Sequence, residues 1–121
     1  MIQLKNKLLK IAALGLVAII LASFNNKQLF EGGTISNPNI TITGTAIPVI
    51  ISATNASGCA GTITYQWQQS FDNANFIDIS NATGNSYQSG LIITTTYFRR
   101  RAICSGSDTV YTNNVATVKV Q

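Results

Sequence analysis

Hydrophobic and polar positions follow two different patterns along this chain. Ile11 to Ala22 (IAALGLVAIILA) is an unbroken apolar run, preceded by Lys5, Lys7 and Lys10. A spanning helix needs about 20 apolar residues, so this run is short for an anchor and the right length for a secretory signal core. Positive charge ahead of it orients the segment with its amino end in the cytoplasm. Residues 1–24 are therefore predicted to be an N-terminal hydrophobic signal helix, cleaved between Ala22 and Gln28. Leu21 and Phe24 break the usual small-x-small cleavage pattern, which leaves an uncleaved membrane anchor as the alternative.

After residue 30 the period changes. No helical i, i+3, i+4, i+7 stripe can be drawn, and strict alternation takes over. In Thr62–Gln69, Ile63, Tyr65 and Trp67 share one face while Thr64, Gln66 and Gln68 share the other. Turn-forming clusters at Gly32-Gly33, Asn37-Pro38, Asn55–Gly61, Asp72–Asn75, Asn81–Asn85 and Ser105–Asp108 cut the remainder into short pieces. The predicted strands are Asn39–Thr43, Ile47–Thr54, Thr62–Ser70, Phe76–Ile79, Ser86–Gln88, Thr95–Cys104 and Val110–Val120. About seven strands at this spacing predict an all-β fold, an antiparallel two-sheet sandwich. Residues 25–44 read as an N-terminal extension carrying a first strand, and 45–121 as the sandwich.

Composition narrows the chemistry. The chain of 121 residues has no histidine, which removes Ser-His-Asp and Cys-His catalysis and imidazole metal sites. Its formal charge of +4 is concentrated in the first ten residues. From Asn25 onward Lys27, Arg99, Arg100, Arg101 and Lys119 face Glu31, Asp72, Asp78 and Asp108. That balance gives no electrostatic footprint for nucleic acid. The carboxylates are dispersed, and no G-x-S-x-G or phosphate loop is present. No enzyme activity, catalytic residue, cofactor or metal site is expected.

Three features together carry a resemblance. Tyr65-Gln66-Trp67-Gln68 is an alternating strand with a central Trp, Leu91 precedes Tyr97 with threonines between, and Phe76-Ile-Asp-Ile79, Tyr87, Tyr97-Phe-Arg-Arg100 and Val115–Val120 follow in order. With the opening Glu31-Gly-Gly-Thr-Ile-Ser36, this resembles the immunoglobulin-like domains of Bacteroidetes surface and adhesin-like proteins, over about residues 31–120. The resemblance implies an immunoglobulin-like sandwich with Tyr65, Trp67, Tyr87, Leu91 and Tyr97 in the core, Leu91 and Tyr97 forming a tyrosine corner. In such a sandwich the loops holding Cys59 and Cys104 share one end, so a Cys59–Cys104 disulfide across loops is expected in an exported chain, with free thiols as the alternative. Asp108-Thr109-Val110 resembles the O-glycosylation acceptor of that bacterial group, making Thr109 a candidate.

Candidate contact residues are few. Arg99, Arg100 and Arg101 form the one charge run outside the signal, but strand alternation forbids a one-sided patch of three. Their stems are expected to cover aromatic faces such as Tyr65 or Tyr97. Phe71 and Phe76 flank the Asp72–Asn75 turn and are the best candidates for exposed aromatic contacts. The expectation is a secreted, cell-surface module with a structural or adhesive role. Its partners would be further copies of itself or another surface protein, and no nucleic acid. A sharper version is a pilus-like filament subunit donating Asn25–Gly44 to a neighbour's open edge; the competing arrangement pairs Asn39–Thr43 within its own sandwich. A small carbohydrate-binding module is the alternative function.

Overall fold

The two cysteines meet at one end of a pair of facing sheets. The computed structural model describes residues 28–105 and 108–121; the apolar run and the signal helix expected there lie outside these residues. Among the described residues there are eight strands: β1 Asn39–Ile42, β2 Ile50–Ser52, β3 Ile63–Ser70, β4 Ile77–Asp78, β5 Ser86–Gln88, β6 Thr96–Cys104, β7 Thr109–Tyr111 and β8 Ala116–Val120. The larger sheet runs β1-β8-β6-β3-β4 with β7 also on β6, and the smaller is β2-β5. No helix occurs among the described residues.

The centre of the larger sheet is the β3–β6 pair, in register from Ile63↔Cys104 to Ser70↔Tyr97. Alternation along β6 sends Thr96, Phe98, Arg100 and Ala102 inward as buried residues, and Tyr97, Arg99, Arg101 and Ile103 outward. Trp67 faces Arg100 and Tyr65 faces small Ala102 across the pair. Ile35, Ile42, Ile51, Trp67, Phe98 and Val118 belong to one buried cluster drawn from both sheets. Tyr87 packs against it, its ring 6.2 Å from Trp67 and 5.8 Å from Phe98. The Trp67 indole N–H donates to the Gly84 carbonyl at 2.9 Å, as a buried indole requires.

Several sequence expectations are corrected here. The β1–β8 pair is parallel, from Asn39↔Thr117 to Ile42↔Val120, so the larger sheet is mixed rather than antiparallel. The predicted strand Val110–Val120 is two strands, β7 on the upper part of β6 and β8 on its lower part. Its interruption at Thr112–Asn114 has a purpose. The Asn114 side chain accepts from the Ile35 amide at 2.7 Å and donates to the Ile35 carbonyl at 3.0 Å, replacing a strand neighbour for that residue. This lets residues 31–36, bridged to β2 and its extension at Glu31↔Ser57 and Ile35↔Ala53, cross at Asn37-Pro38 into the larger sheet. Ile35 and Ile42 are each 2 % exposed, so the stretch read as an extension is part of the core and pairs within its own chain.

Leu91 and Tyr97 are also corrected. Leu91 is 70 % exposed, and Ile92 is buried in its place with its amide bonded to the Ile47 carbonyl. Tyr97 lies on the outer face, because inward-facing Phe98 and Thr96 fix the parity of β6. The tyrosine hydroxyl that ties strand to loop is that of Tyr65, which accepts from the Ala56 amide at 2.9 Å.

The β3–β4 connection is built on Asp72. Its carboxylate accepts from the Ala74 and Asn75 amides, the Asn75 side chain and the Ser70 hydroxyl. Asn73 takes the left-handed conformation within the turn, φ 58°, which Asn tolerates. The Asn75 and Ala74 amides, then the side-chain partners, hold the Asp72 carboxyl well below the usual carboxylate range. A depressed native pKa stabilises the fold above the unfolded value of about 4 and loses that contribution as pH falls through the native value. The expected result is a side-chain carboxyl resonance for Asp72 that stays in its ionised position at about pH 3, moving back toward ordinary titration in Ser70→Ala. Asp72 is exposed, which keeps the stability consequence small.

Candidate functional site

The five contact candidates separate into three places. Arg100 points inward and is 0 % exposed. Its terminal nitrogens donate to the carbonyls of Gly32 at 3.0 Å, Thr54 and Asn85 at 2.9 Å, and to the Asn85 side-chain oxygen at 3.1 Å. The guanidinium lies 3.9 Å from the Tyr65 ring centroid and 5.9 Å from that of Trp67. Burial pulls its pKa below the ordinary arginine value. Every acceptor is neutral, so Arg100 ties the N-terminal crossing, the end of β2 and the start of β5 to β6. Gly33 makes that approach feasible: its φ is +81°, and a Cβ there would run into the Thr54 carbonyl oxygen and the Arg100 guanidinium.

Arg99 and Arg101 point outward on the same strand. Arg99 is held between two rings, 4.1 Å from the Phe76 centroid and 3.9 Å from that of Tyr111. Its Nε donates to Gln68 Oε1 at 2.7 Å, and Gln68 Nε2 donates to Asp78 Oδ1 at 2.7 Å. Arg101 completes the row through an ion pair with Asp78 at 3.1 Å. The Gln68 amide, with Arg101 behind it, holds the Asp78 carboxyl below its ordinary range. Phe76 is thus half-buried, and one face of its ring is covered by Arg99, as is one of Tyr111. These two rings therefore do not form an open platform for sugar stacking.

Phe71 lies at the pole opposite the cystine. It is 63 % exposed, and nearby Ile77, Leu91 and Ile93 are 59 %, 70 % and 78 % exposed. A cleft of about 340 Å³ opens there, lined by Phe71, Tyr87, Leu91, Ile92, Ile93 and Phe98 among others. A smaller hollow of about 260 Å³ adjoins it across Phe71, bounded by Asp72, Asn75 and Ile77. The cleft exists because the smaller sheet has two strands and the larger has six. The lower inner face of β3 and β6 is left without a covering strand, and β5 presents an edge with no strand neighbour among the described residues. The local sequence exposes apolar groups of necessity. In Leu91-Ile92-Ile93 the middle residue is buried and its amide bonds to the Ile47 carbonyl, while both neighbours are exposed. The uniform apolar run Leu91-Ile92-Ile93 is the signal of this pole in the sequence.

Cys59 and Cys104 are disulfide-bonded with Cα atoms 5.7 Å apart, at the end where Ser57 pairs with Glu31. Cys59 lies in the loop before β3, and Cys104 ends β6. Thr109 opens β7 and is exposed. No group of three or more Cys, Asp or Glu side chains suited to a metal ion occurs among the described residues. The site-forming features are thus an ionic row on one face, an apolar cleft at one pole and a cystine at the other.

Comparison with curated proteins finds none that matches this chain. Residues 31–121 match the family model described as Domain of unknown function (DUF8696), and since that match covers most of the sequence, the chain belongs to this family.

Proposed function

We propose that this chain is an exported immunoglobulin-like β-sandwich without enzymatic activity, acting as a structural or adhesive subunit at the bacterial cell surface. The observation that carries the reading is the apolar pole. Monomeric soluble domains rarely expose clustered large apolar side chains, and such patches mark interaction sites. The edge of β5 lies beside the cleft, so an extended segment could add to the smaller sheet and place alternate side chains against Phe71 and Leu91. The chain enters the fold at the other pole, where Glu31 pairs with Ser57. Contact between the entry pole of one copy and the cleft of the next repeats without closing and gives fibres. The order of strands around Trp67 and the cystine support the immunoglobulin-like and extracytoplasmic parts of the reading.

Deleting residues 25–44 would remove Ile35 and Ile42 from the core, so surface substitutions are the cleaner test. Native protein is expected to form thin fibres in negative-stain electron microscopy and to sediment in a concentration-dependent way. The double variant Leu91→Ser/Ile93→Ser is expected to stay folded and monomeric. Native protein that remains a single species at every concentration, or a double variant that assembles equally well, would overturn the proposal.

A further inference from the structure

We propose that Arg99 anchors a carboxylate-binding site on the outer face of the larger sheet, and that its ligand is an acidic polysaccharide of the uronate type. The site is distinct from the apolar pole. Three observations converge on it. First, the guanidinium is immobilised before any ligand arrives, with the Phe76 and Tyr111 rings at 4.1 and 3.9 Å and Nε tied to Gln68. Gln68 is itself 5 % exposed and held by Asp78, so the orientation is fixed from below. Second, the two terminal nitrogens of Arg99 have no acceptor among the described residues, and neither is a buried unsatisfied atom. Their paired N–H groups form a planar fork, the geometry that matches both oxygens of a carboxylate. Third, charge on this face is unbalanced. Asp78 is taken by Arg101 and Gln68, and Arg99 is left without a carboxylate of its own.

The surroundings select a polysaccharide over an acidic peptide. β6 is bonded to β3 on one side. On the other, Arg99 lies between the stretches paired with β7 and β8, where Thr112 bonds to Arg100, so no run of free backbone groups beside Arg99 is long enough to register an extended peptide. The flanking outward positions Thr64, Gln66, Tyr97 and Thr117 carry hydroxyls and an amide. One ionic anchor gives weak binding per copy, which a polymer with a carboxylate on every sugar raises by offering that anchor many equivalent sites.

The test is affinity electrophoresis of the secreted chain in gels containing polygalacturonate, with methyl-esterified polygalacturonate and poly-glutamate as comparison matrices. The wild-type chain is expected to be retarded by polygalacturonate alone. Arg99→Gln is expected to weaken retardation about tenfold or more, the size of a lost charge-assisted pair. Arg99→Lys keeps the charge but not the fork, and should recover only a minor part. Thermal melts of both variants establish that they are folded, and Arg99→Gln is also compared with its parent in the monomeric Leu91→Ser/Ile93→Ser background, where the same loss of retardation is expected without any contribution from assembly. Equal retardation of wild type and a folded Arg99→Gln, or equal retardation in the esterified matrix, would overturn the site. Retardation by poly-glutamate and not by polygalacturonate would overturn the polysaccharide assignment in favour of a protein partner.

Discussion

Arg100→Ala is expected to lower the unfolding free energy by about 3–5 kcal/mol, corresponding to a fall in Tm of roughly 15–25 °C for a domain of this size. The magnitude follows from what the side chain satisfies. Removing it leaves the carbonyls of Gly32, Thr54 and Asn85 without their donor. The Gly32 carbonyl is buried, and a buried acceptor left unpaired costs about 1–3 kcal/mol; the Thr54 and Asn85 carbonyls are part-buried and cost less. Opposing this is the desolvation of a charge with no carboxylate beside it, which the substitution relieves. A cavity beneath Tyr65 and Trp67 adds to the loss. Arg100→Lys should recover less than half, because one ammonium cannot reach acceptors on three separate segments. The neighbouring Arg101→Ala sets the scale for an outer position. Its ion pair with Asp78 involves side chains 27 % and 50 % exposed, and its loss should cost under about 1 kcal/mol. Urea unfolding of the three variants measures the difference. An Arg100→Ala protein as stable as Arg101→Ala would show that the three segments are held without the guanidinium.

The second large effect is expected from the cystine. Cys59 and Cys104 close a loop of 45 residues, which in the chain-entropy model restricts the unfolded ensemble by about 4 kcal/mol. The enclosed stretch contains β3, β4, β5 and most of β6, so much of the larger sheet and the β5 edge depend on it. The smaller sheet has two short strands and little hydrogen bonding of its own to offset the loss. Cys59→Ser/Cys104→Ser, or the native protein in reductant, should therefore unfold at markedly lower urea concentration with an unchanged native fold. The reduced chain should also become more sensitive to protease in residues 80–95, where the irregular segment beside the apolar pole begins. A double variant within about 1 kcal/mol of native stability would mean that the unfolded state is already compact without the bond.

Much of the strand pattern was legible because alternation is a local property. Ser86–Gln88 agrees residue for residue with β5, and Thr62–Ser70 and Thr95–Cys104 differ from β3 and β6 by one residue at the start. The parity of Arg99, Arg100 and Arg101 was equally readable, since three consecutive strand residues must divide between faces. Which arginine would be inside was not readable. Phe98 and Ala102 as inward neighbours decide it, and their burial depends on Trp67 and Tyr65 across the sheet. Leu91 misled for a related reason: in Leu91-Ile92-Ile93 hydrophobicity is uniform, and the Ile92 amide bond to Ile47 selects the buried member.

The sequence by itself determined a β pattern after residue 30, the lack of histidine, a nearly neutral charge after the first ten residues and two cysteines bordering turn-rich stretches. These are statements about composition and short-range pattern, which need no knowledge of neighbours. Only the tertiary structure decided that residues 31–42 pair within their own chain and that β1 runs parallel to β8. It also decided that Arg100 gathers three segments and that the smaller sheet stops at two strands and leaves a cleft beside Phe71. Each of those depends on contacts between residues far apart in the chain, such as Asn114 with Ile35 and Arg100 with Gly32. Such contacts are set by which surfaces must be covered and which donors must be satisfied once the sheets face each other.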